Sequence, residues 1–170
     1  PDGKRVGSGG ATINVLRKIR EDLGHNFTGF QNLRILIIHS GGDSKRIPQY
    51  SACGKLFSPV PRLLPDGHRS SLFDEFMILL AVLPDRFSGG TFVLSGDVLL
   101  LFNPLQISIT NSYSIAISAK APMATGSNHG VFLSDSKNRV TAFLHKLNAN
   151  KLQELGAVDK LGNVDLDTGM

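Results

Sequence analysis

With 170 residues, 41% hydrophobic and 19% charged, the chain has the composition of a globular domain large enough to bury a core, which excludes wholesale disorder. Its net charge of +4 and pI near 9.4 come from 18 Lys and Arg scattered without a basic run. There is no tryptophan, so an anionic small substrate is expected and a nucleic-acid partner is not. The single cysteine, Cys53, rules out an internal disulfide and points to a reducing compartment. The five histidines (His25, His39, His68, His129, His145) never fall at metal-ligand spacing, which argues against zinc. No signal peptide and no apolar stretch approaching about 18 residues is visible, so a cytoplasmic chain with no membrane partner is expected.

Residues 7–12, GSGGAT, read as a glycine-rich loop carrying Gly7, Gly9 and Gly10 into a helix over 12–23. Ile13, Leu16, Ile19 and Leu23 give that helix one apolar stripe, and Gly24 stops it. A glycine loop entering a helix can bind an anion. The dinucleotide fingerprint fails, however, because its third glycine falls at Thr12. Two readings stand for this stretch, anion binding and a flexible terminal loop.

Residues 33–38, LRILII, predict a strand buried on both faces and cut off by Ser40-Gly41-Gly42. Asp43, Ser44, Lys45 and Arg46 follow, then Pro48, and later Gly54-Lys55. Such a glycine turn lets backbone amides face phosphate oxygens while Lys and Arg neutralise the remaining charge, so nucleotide gripping competes with an ordinary solvated turn. The turn is not a Walker P-loop, since Leu56 follows Lys55 and Gln49 replaces a glycine.

Residues 57–61 are expected to run extended, 63–70 to turn at Pro65-Asp66-Gly67, and 72–83 to form an apolar helix stopped by Pro84. A buried strand over 91–94 ends in Ser95-Gly96-Asp97. A carboxylate just past a strand's end lies where open α/β sheets bind ligands and suits Mg²⁺; the competing reading is a turn cap. Further strands are expected over 114–118 and 130–133, with a hairpin return over 140–144, a short helix over 148–155 and a turn at Gly162-Asn163. The chain opens directly before a glycine loop and closes as an apolar stretch begins, so both ends are expected to be cut.

The order of parts is informative. GGDSKRIPQYSACGKLFSPV resembles the signature of sugar-nucleotide pyrophosphorylases: two Gly, a Gly-Thr-Arg, a Pro, then Pro-Lys and Pro-Val. The chain departs from it with Ser44-Lys45 before Arg46 and with Gly54-Lys55 for Pro-Lys. Taken with GSGGAT, GDVLLLF, SNHGVF, GVFLSDSKNRVTAFLHK and LDTGM, the whole resembles the fucose-1-phosphate guanylyltransferase family, particularly the N-terminal half of bacterial bifunctional L-fucokinase/guanylyltransferases.

That resemblance, which runs from Gly7 to Met170, implies a three-layer, Rossmann-like α/β nucleotidyltransferase fold with a mostly parallel mixed sheet, incomplete in this chain. It implies one nucleotidyltransferase domain over 1–170 with the kinase half absent, acting on GTP and L-fucose 1-phosphate with Mg²⁺. Lys45, Arg46 and Lys55 would then be catalytic: the first two at the departing pyrophosphate, Lys55 between the α-phosphate and the incoming sugar phosphate. Gly7, Gly9, Gly10, Gly41, Gly42, Asp43 and Ser44 would bind nucleotide, and Asp97 the metal. Asn128, His129 and Gly130 would line the base or sugar pocket, Lys146 the sugar phosphate, and Asp167, Thr168 and Gly169 the fucose. For Lys146 a solvated strand-end lysine is the competing reading, and for His129 a structural turn. Which glycine stretch holds the triphosphate is open. A transferase for another sugar phosphate and a non-catalytic nucleotide-sugar-binding regulatory domain are the alternatives.

Overall fold

The computed structural model describes residues 6–40, 47–108 and 114–170. It divides into two compact units, Pro1–Thr110 and Asn111–Met170. The loop residues expected to bind nucleotide or act in catalysis, Gly41, Gly42, Asp43, Ser44, Lys45 and Arg46, lie outside the described residues.

In the first unit, helix α1 (Gly7–Leu23) starts five residues earlier than its apolar stripe predicts. The glycines are therefore not a loop. Glycine's poor helix propensity hides the first turn from a sequence reading, but the backbone ladder runs through it. None of the helix's residues is buried. Thr12 Oγ1 lies 2.9 Å from His39 Nε2, which ties the start of α1 to the end of strand β1 (Arg34–His39).

The expectation that this strand is buried on both faces is corrected. Of β1 only Ile37 is buried, and Leu36 is largely exposed. The physical reason is that, among the described residues, β1 has a single strand neighbour. That neighbour, reached below, covers one edge.

A hairpin follows, from strand β2 (Pro59–Leu63) to strand β3 (Arg69–Ser71), antiparallel around the predicted Asp66-Gly67 turn. Helix α2 (Leu72–Leu80) begins in a capping box. Ser71 Oγ accepts from the Asp74 amide, and the Asp74 carboxylate accepts from the Ser71 amide. The helix buries Phe76 and Leu80, which join Leu83, Leu56, Ile37 and Leu94 as the apolar interior of the unit. Strand β4 (Gly90–Ser95) then pairs parallel with β1 in register from Arg34 opposite Gly90 to His39 opposite Ser95. Both strands thus finish at one edge.

The second unit is a four-stranded antiparallel sheet covered on one face by two short helices. Strand β5 (Ser118–Pro122) is followed by helix α3 (Met123–Gly126), strands β6 (Gly130–Ser134) and β7 (Val140–His145), helix α4 (Ala149–Glu154) and strand β8 (Asn163–Asp167). The order across the sheet is β5-β8-β6-β7. The predicted hairpin and the short helix capped by Asn148 are present. Residues 114–117 are not strand, and β5 starts where that expectation ended. Val131, Leu152 and Val164 are fully buried, with Met123, Leu144, Leu147, Ala157 and Val158 packed around them.

The architecture is mixed α/β. The expected mostly parallel sheet is not what the described residues form: their only parallel pairing is β1 with β4, and the other sheets are antiparallel. No described helix is long and apolar enough to cross a membrane.

Leu152→Ala removes a fully buried side chain and is expected to cost about 2–5 kcal/mol. Ser71→Ala, which removes one cap, is expected to cost about 1 kcal/mol. Urea unfolding followed by circular dichroism ranks the two; equal losses would contradict this packing.

Candidate functional site

The carboxyl ends of β1 and β4 meet closely. The Gly96 amide donates to the His39 carbonyl at 2.9 Å, and a Cβ on Gly96 would sit 2.8 Å from that oxygen. A side chain there would push the strand ends apart. Asp97 is the next residue, so its carboxylate is delivered to the rim of the parallel pair, as the strand-end argument expects.

Lys55 reaches the same rim from a different segment. Gly54, at φ +81°, caps the short 3₁₀ turn Lys55–Phe57 and packs against the end of β1, where a Cβ would lie 3.2 Å from the Ser40 carbonyl. Leu56 is buried and anchors the turn, and the Phe57 ring tilts against Phe73 of α2 at 5.7 Å. With Leu56 pointing inward, its neighbour Lys55 is left at the surface. Its Nζ donates to Asp97 Oδ2 at 3.2 Å, while Ser95 Oγ donates to Asp97 Oδ1 at 2.8 Å.

These two donors hold the Asp97 carboxyl below its ordinary value of 3.8. The Ser95 hydrogen bond is the largest single cause, partial burial opposes it, and the Lys55 hydrogen bond and charge add to the lowering. The shift is a depression. Its stabilising contribution is therefore present above the unfolded pKa and is lost as pH falls through the lowered folded value. With half of the Asp97 side chain exposed, solvent screens much of it.

Among the described residues no three His, Cys, Asp or Glu side chains gather into a metal site. A lone carboxylate nevertheless fits Mg²⁺, which takes one or two protein carboxylates and completes its shell with water and substrate phosphate oxygens. Gly7, Gly9 and Gly10 lie in the first turn of α1, where amide N–H groups have no partner within the helix. They remain compatible with an anion there, by a helix end instead of the expected loop.

The remaining expected residues all fall in the second unit, gathered at one end of its sheet. Gly130 opens β6 opposite His145, the last residue of β7, and Asp167 ends β8 opposite Ser118. Lys146 follows β7 in a left-handed conformation, φ +53°, and its amide donates to the His129 carbonyl at 3.0 Å. The His129 amide in turn donates to Gly126, and that of Asn128 to Thr125, so the backbone at His129 is a turn. Asp167 Oδ1 accepts from the Gly169 amide at 2.9 Å, and the Thr168 hydroxyl donates to the Ile117 carbonyl at 2.6 Å.

The sequence reading missed Ser95 as the partner of Asp97. Its signal was the Ser-x-Asp spacing at a strand end, where a hydroxyl two residues back can reach the carboxylate. Ser95→Ala and Lys55→Met are each expected to raise the Asp97 titration midpoint toward 3.8. Carboxyl ¹³C shifts followed against pH check the direction for each variant.

A family profile described as the fucose pyrophosphorylase domain matches residues 28–170. The chain is 30% identical over 201 residues to the bifunctional fucokinase/GDP-fucose pyrophosphorylase of Arabidopsis thaliana, covering 100% of this chain and 19% of that protein. It is 29% identical over 179 residues to the fucose-1-phosphate guanylyltransferase of Homo sapiens, covering 96% of this chain and 28% of that one. To the L-fucokinase/L-fucose-1-P guanylyltransferase of Bacteroides fragilis it is 29% identical over 149 residues, covering 81% of this chain and 15% of that protein. No solved structure matches the chain. It thus spans between 15% and 28% of the length of these three relatives, and with the profile covering most of it, the chain belongs to the fucose pyrophosphorylase domain family.

Proposed function

We propose that this chain carries out nucleotidyl transfer from GTP to L-fucose 1-phosphate, giving GDP-L-fucose and pyrophosphate. It does so as part of a cytoplasmic fucose-salvage enzyme that also phosphorylates L-fucose. The observation that carries the reading is the convergence of Lys55 and Asp97 on the rim of the parallel β1–β4 pair, in a chain of this family. We take residues 1–170 as one nucleotidyltransferase domain of three-layer, Rossmann-like type.

The reaction is an in-line displacement. A phosphate oxygen of fucose 1-phosphate forms a bond to the α-phosphorus of GTP, the bond from that phosphorus to the bridging oxygen breaks, and pyrophosphate leaves with the electron pair. Little covalent work falls to the protein, which positions the reactants and neutralises charge. Lys55, held beside Asp97 at 3.2 Å, exchanges that carboxylate for the more highly charged α-phosphate and steadies the incoming sugar phosphate. Asp97 would hold Mg²⁺ together with the nucleotide's own oxygens, and the ion's contribution is charge neutralisation at the reacting phosphates. Lys45 and Arg46 bind the departing pyrophosphate, and Gly41, Gly42, Asp43 and Ser44 give the triphosphate backbone room and donors. Gly7, Gly9 and Gly10 offer α1 amides to the nucleotide. Asn128, His129 and Gly130 line the base or sugar pocket, Lys146 faces the sugar phosphate, and Asp167, Thr168 and Gly169 face the sugar.

Pyrophosphate release is the test, with fucose 1-phosphate, Mg²⁺ and GTP, ATP or UTP. GTP is expected to give the fastest release, and Lys55→Ala to lower kcat by roughly 100-fold or more, in the range for loss of one transition-state donor. Faster release with another nucleotide would overturn the base assignment. GTP binding without release from any of the three would favour a regulatory domain.

A further inference from the structure

The sheet of the second unit has two unlike faces. Val131, Leu144, Val164 and Leu166 point to the helices, so the residues between them, Phe132, Phe143, His145, Asp165 and Asp167, point the other way. On that open face the Phe143 ring is 52% exposed. It packs against Phe132 with centroids 5.4 Å apart at 50°, and against the His145 ring at 6.2 Å and 27°. No described element of this unit covers it.

Gly130 explains where the ring sits. A Cβ built on Gly130 would collide with the Phe143 ring and lie 3.2 Å from the Asp167 Cβ. The absence of a side chain at Gly130 therefore lets an aromatic ring lie across the strand next to a carboxylate. Asp167 gives Oδ1 to the Gly169 amide, and among the described residues no donor meets Oδ2. Lys146 stands one residue past His145, at the same end of the sheet.

We infer that this ring-and-carboxylate corner is the seat of the sugar: Phe143 stacks on the apolar face of a deoxypyranose ring, and Asp167 Oδ2 accepts from one of its hydroxyls. The inference rests on the proposed function and adds Phe143, with His145 behind it, as a specificity-determining residue. A sugar phosphate fits better than a protein partner because the apolar surface is narrow and interrupted. Asp165, paired with Lys120, and Asp167 both stand on it, whereas a protein-docking core is depleted in charge. A pyranose has the matching pattern, with C–H groups on one face and hydroxyls at the rim, and small-molecule sites combine aromatic walls with a few placed polar groups in this way. A 6-deoxy sugar adds a methyl group to the apolar side.

The test compares wild type with Phe143→Leu, which keeps apolar volume and loses the ring, and with Gly130→Ala, which displaces the ring. Saturation-transfer NMR with fucose 1-phosphate reads binding directly, and pyrophosphate release reads turnover. The expected result is strongest transfer to the ring C–H and methyl protons in wild type. Transfer should be lost in both variants, with KM for fucose 1-phosphate raised about ten-fold, and in Phe143→Leu KM for GTP should stay within two-fold of wild type. Phe143→Tyr should behave as wild type. Unchanged transfer and KM in both variants, in an active wild type, would overturn the inference and leave the proposed function standing. Transfer present in wild type and lost in the variants, without any pyrophosphate release, would uphold the sugar seat and remove the reaction. Neither transfer nor release in wild type would remove both.

Discussion

Everything at the rim of the first unit depends on how closely two parallel strands finish. The register of β1 and β4 sets His39 against Ser95, and only a residue without a side chain can follow Ser95 while its amide meets the His39 carbonyl. Gly54 repeats the constraint against Ser40. Two unrelated segments are thereby brought to one edge, and the charges they carry, Asp97 and Lys55, meet there. Neither charge is buried. The pair accordingly contributes little to folding, and what it fixes is the position of a cation beside an anion at an exposed strand rim.

The second unit solves a different problem. Its sheet buries one face with Val131, Leu152 and Val164 under two short helices and leaves the other uncovered. Antiparallel sheets tolerate this because alternate residues face opposite ways. The residues that the sequence singles out in this unit are not spread along the sheet. They collect where three strand ends, Gly130, His145 and Asp167, come side by side.

Much of this was legible in the chain itself. The LRILII run marked β1, the Asp66-Gly67 turn marked the β2–β3 hairpin, and the Asp135-Ser136-Lys137-Asn138 turn marked β6–β7. The rule that ligands meet strand ends was enough to single out Asp97. Less legible was anything held by distant pairing. Lys55 and Asp97 are 42 positions apart, and no spacing rule relates them. Strand β8 was overlooked because NVDLD alternates apolar residues with aspartates over only five residues, and its pairing with β5 and β6 on both sides is set by distant segments. The burial of β1 was overstated because an apolar run reports hydrophobicity and does not report how many neighbours a strand has. The start of α1 was lost to its glycines.

That helix has a further consequence. With no buried residue, α1 gains little from apolar packing, and a side-chain hydrogen bond such as Thr12 with His39 contributes only about 0.5–1.5 kcal/mol. Local opening free energies follow buried contacts. The amides of α1 therefore belong to the fast-exchanging class of this unit, and those at Ile37 and Leu94 to the slow one. The glycine amides at the head of α1 can then open and close again without disturbing the sheet, while the Lys55–Asp97 rim keeps its geometry.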